Sequence, residues 1–238
     1  MTPMTPMTWD PLPGEGFART LREENAAIWE AMQTHRFVTD IMADRLDPLV
    51  FRRYLIFEHG FVETAILIFG HAMLKAPAFS QRRRLIGVLH SLAEEQLTYF
   101  AAVFRALGLA PDAATQAMPQ AVRRFDGGML AIAASGSYAE ILTIMLAAEW
   151  MYGSWCLRAA KTNIGEPALR DWVLLHTEPG FLDQVAWLMG EIDREAAGLD
   201  EAARHRLSAL FRAALELEVT FHEAAYKDWP VPMLEDEV

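Results

Sequence analysis

The sequence predicts an all-α, single-domain protein, and three observations carry that expectation. Hydrophobic residues make up 53% of the 238 positions, enough for one sizeable core in a chain of this length. Apolar residues recur at three- and four-residue spacing along most of the chain, whereas the two-residue alternation of half-buried strands is weak. Glycine and proline fall between those runs, and no long linker, low-complexity middle or stable repeat divides them.

The order of elements follows from that spacing. Residues 1–16, with the repeated Met-Thr-Pro, read as a flexible N-terminal extension, residues 17–228 as the domain and residues 229–238 as an acidic C-terminal tail. Phe17 to Gln33 carries Phe17, Leu21, Ile28 and Trp29 with acidic residues between them, the pattern of one amphipathic helix. A short helix fits within His35 to Asp47. Asp47 followed by Pro48 supplies an N-cap and a first-turn proline for an interior helix through Phe69. Ser80 to Leu107 repeats helical spacing and stops at Gly108 and Pro111. Further helices are expected over Gln116 to Ala134, Ser137 to Thr162, Pro167 to Thr177, Gly180 to Ala196 and Ala202 to Ala225.

Charge and cysteine content exclude several classes of function. A net charge of −11 opposes wrapping a nucleic-acid backbone, despite the local run Arg82, Arg83 and Arg84. The sole cysteine, Cys156, forms no intramolecular disulfide, CxxC pair or cysteine metal cluster, a usage that suits a reducing cytoplasm. The first residues lack the pattern of a secretory leader, and the apolar runs are interrupted before a membrane-spanning ~20 residues. The expectation is a soluble cytoplasmic protein with neither nucleic acid nor membrane as partner.

Polar residues within apolar helices are the candidates for chemistry. Glu58 lies among Tyr54, Phe57, Phe61 and Val62, which aims a carboxylate into a shielded space; a surface break in the helix is the alternative. Neighbouring His59 suits a structural or supporting part. Glu149 interrupts a strongly apolar helix with Tyr152 one turn onward, a pair suited to orienting a polar heterocycle, while Trp150, Trp155 and Cys156 read as core. Trp172 and His176 are one turn apart, so an indole and an imidazole can share a cavity, with Glu178 in the following loop. Glu218 and His222 stand four apart near Phe221 and Tyr226. That pair departs from the Glu-x-x-His spacing of dinuclear iron or manganese bundles, and HEXXH is absent. Convergence of Glu58, Glu149, Glu218, His176 and His222 keeps a metal site as an alternative. Dinucleotide, phosphate-loop and nucleophile-elbow motifs are absent.

In order along the chain stand Trp29 with His35-Arg36-Phe37, then Phe51, Tyr54-Leu55 and Glu58, then Ala148-Glu149-Trp150 with Tyr152, and finally Glu218, Phe221-His222 and Ala225-Tyr226. Together they resemble the TenA/THI-4 family associated with thiaminase II, over roughly residues 17–228. The resemblance implies a heme-oxygenase-like helical bundle, a homotetramer with a homodimer as the alternative, and pyrimidine chemistry in thiamin degradation and salvage. It implies no cofactor and no metal.

Carried over residue by residue, the resemblance points to a particular branch. Ala148 stands where the cysteine-bearing form has its nucleophile, and Cys156, six residues after Trp150, does not replace it. Glu218 fits the family's catalytic glutamate, with His222 in place of a tryptophan. Glu58 stands where an aspartate commonly binds the aminopyrimidine, and Tyr152 matches the tyrosine of the family's PCxWxY segment. Phe61, Phe125 and His176 fall at pocket positions that often hold tyrosines. The pattern is closer to the cysteine-less TenA-E branch, which implies hydrolysis of an aminopyrimidine or formylaminopyrimidine. On that reading Glu218 is the acid/base with Glu149 as its alternative, and Glu58, Phe61, Phe125, Tyr152 and His176 bind the small pyrimidine-containing substrate. A noncatalytic pyrimidine-binding protein and a heme-oxygenase-like di-metal oxygenase are the competing readings.

Overall fold

Residues 15–234 are described by a computed structural model, and over them the chain runs almost entirely in helices. In order these are α1 (Phe17–Glu24), α2 (Ala26–Gln33), α3 (Arg36–Met42), α4 (Pro48–Lys75), α5 (Phe79–His90), α6 (Leu97–Leu107), α7 (Gln120–Ser135), α8 (Tyr138–Ala159), α9 (Pro167–Leu175), α10 (Pro179–Ala196) and α11 (Glu201–Ala224). A π-helical turn, Ser91–Gln96, joins α5 to α6, and a 3₁₀ turn, Ala113–Thr115, precedes α7. The described residues contain no sheet, only an isolated antiparallel bridge between Leu109 and Met233. Most of the extension assigned to residues 1–16 lies outside the described residues.

The core is organised by α8, which is buried along nearly its whole length from Tyr138 to Ala159. Helices α10 and α11 pack along it, α4 and α7 complete the layer, and α5 covers α4. A helix apolar on all sides belongs inside other helices. Ser137 and Glu140 cap α8 reciprocally, with Ser137 Oγ accepting from Glu140 N–H and Glu140 accepting from Ser137 N–H. Asp47 accepts from Leu49 N–H ahead of Pro48 at the start of α4, as the dipeptide required. Asp200 accepts from Ala203 N–H at the start of α11. Gly108 takes a left-handed φ of 67° to end α6, a conformation costly for residues with a Cβ.

Several boundaries differ from the sequence expectation. The helix expected over Phe17–Gln33 breaks at Asn25, whose buried side-chain amide donates to Leu21 O and Ser208 O and whose Oδ1 accepts from Arg212. Satisfying that amide against α11 turns the chain between α1 and α2. The helix expected over Ser80–Leu107 is interrupted by the π turn, which shifts the helical register by one residue between α5 and α6. Helix α4 continues to Lys75, whose ammonium donates to the carbonyls of Ala133, Ala134 and Gly136 at the end of α7.

By length and composition α4 is sufficient to cross a membrane, contrary to the expectation that no apolar run reaches that length. Its packing against α5, α7 and α8 and its burial from Val50 to Ala72 identify a core helix. Residues 229–234 pack onto the domain rather than leaving it. Arg53 donates to Trp229 O, Ala110 N–H to Pro232 O, and Leu234 N–H to Gly108 O.

A three-carboxylate pocket as candidate active site

Helical spacing brings distant parts of the chain to one point. Tyr54, Glu58 and Phe61 share a face of α4, Glu149 and Tyr152 stand one turn apart on α8, and α7 and α11 contribute Phe125 and Glu218. His176 follows the last turn of α9. Glu58, Phe61, Phe125, Glu149, Tyr152, His176 and Glu218 all line one inner cavity of about 70 Å³. Every residue assigned a site role from the sequence therefore faces the same space.

The polar side is a hydrogen-bonded cluster. Tyr54 Oη lies 2.8 Å from Tyr152 Oη and 3.1 Å from Glu58 Oε2. Tyr152 Oη lies 3.3 Å from Glu58 Oε2 and 3.3 Å from His222 Nε2. His222 Nδ1 is 2.8 Å from Glu218 O, and a carbonyl only accepts, so Nδ1 carries the hydrogen and Nε2 offers a lone pair. Burial pushes the His222 imidazole down to about 3, which keeps that lone pair free at neutral pH. Four contacts thus share the two phenolic hydrogens when Glu58 is ionised, and a proton on Glu58 supplies a third.

The carboxyls are held out of their ordinary range by burial. Glu58 is pushed up to about 7, opposed by the phenols and reinforced by the nearby Asp126 carboxylate. Glu149 is pushed up to about 8, with the Gln184 amide and the Arg84 guanidinium pulling the other way. Glu218 is raised well above the usual carboxylate value by burial and then by Glu58. Neither Glu149 Oε2 nor Glu218 Oε2 has a hydrogen-bond partner among the described residues, an arrangement that is costly unless a ligand or water completes it. His176 donates from Nδ1 to Trp172 O at 2.9 Å, and burial lowers it to about 4, so a neutral imidazole borders the cavity with Nε2 as an acceptor.

Aromatic rings form the flat walls. Phe61 and Phe125 approach to 4.6 Å, and His176 stacks on Tyr152 at 5.3 Å with 30° between planes. Trp172 supports His176 from behind at 4.3 Å. Trp150 and Trp155 are instead core residues, packed on Trp29 and on Trp172 respectively. His59 packs on Phe100 and Phe104, outside the cavity wall. A larger outer chamber of about 340 Å³ adjoins the pocket, sharing Phe69, Leu92, Gln96, Glu149 and Phe181 with it.

Sequence reading missed the outer chamber and the part played by Asp126. Asp126 follows Phe125 on α7, is pushed up to about 6 by burial, and has an unpartnered Oδ1. No sequence signal separates it from the surface acids of an amphipathic helix. Tyr54 was legible only as a neighbour of Glu58 four residues onward. Although carboxylates and imidazoles gather here, no group of three or more His, Cys, Asp or Glu among the described residues converges as metal ligands.

Ala148 lines the inner cavity, and Cys156, two turns further along α8, is fully buried with its thiol pushed up by burial. The pocket wall carries no cysteine, consistent with a cysteine-less branch of the family resembled above. A solved TenA homologue from Pyrococcus furiosus superposes with a TM-score of 0.82 at 19% identity, covering 88% of this chain and 100% of that one. Another, from P. horikoshii OT3, gives 0.81 at 20% identity over 89% of this chain and 99% of that one. Both establish a shared all-α bundle. In sequence, the chain is 24% identical over 215 residues to the aminopyrimidine aminohydrolase of Halalkalibacterium halodurans, covering 89% of this chain and 96% of that protein. The family model that spans residues 22–228 takes in α4, the π turn, α7, α8, α9, α10 and α11, every element of the pocket, and the chain belongs to the TENA/THI-4/PQQC family.

Proposed function

We propose that the protein is a cysteine-independent hydrolase of an aminopyrimidine or formylaminopyrimidine in thiamin salvage. One observation carries the proposal: the buried Glu218 and the half-buried Glu58 and Glu149 face one flat, aromatic-walled cavity, two of them with unpartnered oxygens. Such a cavity suits a planar ring bearing basic nitrogens, and carboxyls raised toward neutral pH suit proton transfer. Family membership and the likeness to an aminopyrimidine aminohydrolase support the same substrate class.

Glu58, held by Tyr54 and Tyr152, anchors the ring edge or exocyclic amine, while Phe61, Phe125 and His176 hold its faces. Glu218, ionised once a cationic ligand supplies the countercharge, takes a proton from water. For a formyl amide, the water oxygen bonds to the formyl carbon, the C–N bond breaks, and the proton on Glu218 passes to the departing amine, leaving formate. For the free amine, the water oxygen bonds to the methylene carbon as ammonia leaves. Glu149, whose Oε2 also lacks a partner, is the alternative proton-transfer group.

Purified protein incubated with aminopyrimidine, formylaminopyrimidine and thiamin, with products read by mass spectrometry, tests this reading. Glu218→Gln should abolish most turnover, a loss of about 10²–10⁴, while ligand binding persists. Equal losses of binding and turnover would make Glu218 an anchor, and binding of every substrate without product would make the protein a pyrimidine-binding protein. The proposal also includes a heme-oxygenase-like arrangement of helices, a cytoplasmic location and a homotetramer, with a homodimer as the alternative. Light scattering after gel filtration distinguishes the two assemblies.

A further inference from the structure

The inner cavity is too small to hold a substituted ring together with its appended group. At about 70 Å³ it lies well below the roughly 300–1,000 Å³ of small-molecule sites. A ligand seated against Glu58 therefore extends past the shared neck of Leu92, Gln96, Glu149 and Phe181. Beyond it lies a chamber of about 340 Å³, within the roughly 300–1,000 Å³ of small-molecule sites and far more than a one-carbon acyl group fills.

The fold uses only part of that chamber's polar equipment, with Ser91 donating to Glu95 at 2.6 Å. Arg84, Tyr99 and Gln184 line it, and their buried Nε, Oη and Nε2 atoms have no hydrogen-bond partner among the described residues, with the Gln184 amide and the Arg84 guanidinium acting on Glu149. All three are donors. Arg84 is already neutralised through Nη2 by Asp183 at 2.7 Å. The other charged side chains on the chamber wall, Glu95, Glu149 and Glu178, are all acidic. Unsatisfied donors ask for carbonyl oxygens, and the acidic remainder favours a cation over an anion.

Gly87 offers a point from which the chamber can be filled. It sits in the interior of α5, where glycine weakens a helix relative to alanine, yet an added Cβ there would meet nothing within 4 Å. It lies on the chamber wall, so a large side chain at this position would reach into the space.

We propose that the outer chamber is a binding subsite for an extended, amine-bearing acyl arm, so that the preferred substrate is an aminoacyl amide of the heteroaromatic methylamine rather than its formyl amide. The inference rests on the hydrolase reading for the ring end of the substrate. The arm's one carbonyl oxygen accepts from a donor at the neck, and its ammonium faces Glu95 and Glu178. Hydrolysis is the same step as for the formyl amide. Water adds to the acyl carbon, the C–N bond breaks, the ring-bearing amine takes the proton, and the arm leaves as an amino acid.

Calorimetric dissociation constants for the formyl, β-alanyl and succinyl amides of the aminomethylpyrimidine, on the full chain, test the subsite, with hydrolysis followed in the same samples. The β-alanyl amide should bind at least about tenfold tighter than the formyl amide, a difference set by the extra contacts, and the succinyl amide should bind more weakly than the β-alanyl amide. G87F, which also strengthens the helix, should collapse the β-alanyl-to-formyl ratio. E95Q/E178Q should remove the preference for the cationic arm while leaving the arm's dependence on Gly87. Equal affinity for formyl and β-alanyl amides, or a ratio untouched by G87F, overturns the subsite. Hydrolysis of the formyl amide with no β-alanyl advantage overturns it while sparing the hydrolase. A β-alanyl binding advantage without any product supports the subsite and removes the hydrolase reading.

Discussion

Tyr152 Oη lies 3.3 Å from Glu58 Oε2 and 3.3 Å from His222 Nε2, and its single hydrogen serves only one of them. Because His222 donates from Nδ1 to Glu218 O, its Nε2 competes with the carboxylate for the Tyr152 hydrogen. His222 thereby competes for one of the two phenol bonds that oppose the burial raising Glu58 to about 7.

Replacing His222 by Phe should free Tyr152 to donate to Glu58 and lower the midpoint of that carboxyl. The protonated Glu58 carbonyl stretch, followed by infrared difference spectroscopy across pH, should lose half its intensity at a lower pH than in the wild type. His222→Gln retains an acceptor oxygen and should move the midpoint less. An unchanged midpoint in His222→Phe would show that His222 does not govern Tyr152.

Raised carboxyls also make stability pH-dependent. Glu58 and Glu149 stand at about 7 and 8, against 4.5 when unburied, so the folded form keeps protons that the unfolded chain has already released. Their stabilisation is complete below 4.5 and is lost as pH rises through 7 and 8. His176 and His222, lowered to about 4 and 3, act in the opposite sense, losing stability as pH falls below 6.5. Between pH 6.5 and 8.5 the carboxyls therefore dominate. The ligand-free protein should lose of order 2 kcal/mol, or about 4–8 °C in Tm, and E58Q/E149Q should flatten that slope in calorimetric scans.

Cys156 should be chemically inert. It is buried, with burial raising its thiol, and it stands apart from the cavity wall. Cys156→Ala should retain kcat within about twofold, with a stability loss of about 1 kcal/mol for the vacated space. Iodoacetamide should leave wild-type turnover unchanged at neutral pH; inactivation that the variant escapes would give the thiol a part in the chemistry.

Asn25 should be worth more than its surface-like sequence context suggests. Its amide donates to Leu21 and to Ser208, 183 residues away, and its oxygen accepts from Arg212. Asn25→Ala leaves those buried groups unpaired and should cost about 2–3 kcal/mol, read as a lower midpoint in urea with α1 exchanging amide hydrogens first.

Local sequence carried the helical order because caps, glycines and apolar periodicity are short-range signals. Asp47-Pro48 starts α4, Ser137 with Glu140 starts α8, and Gly108 ends α6, each within one turn of its cause. Polar residues in otherwise apolar stretches also marked Glu58, Glu149, Tyr152 and Glu218 as inward-facing candidates. Their meeting in one cavity depends on how α4, α8 and α11 pack, which no spacing within a single helix encodes. The break at Asn25 likewise needs Ser208 and Arg212, and the hydrogen arithmetic at Tyr152 needs Tyr54 and His222 from two other helices. The outer chamber arises where α5, the π turn, α8 and α10 leave space between them. Periodicity tells which face of a helix turns inward; the volume left between inward faces, and the protons shared across it, exist only once those faces have met.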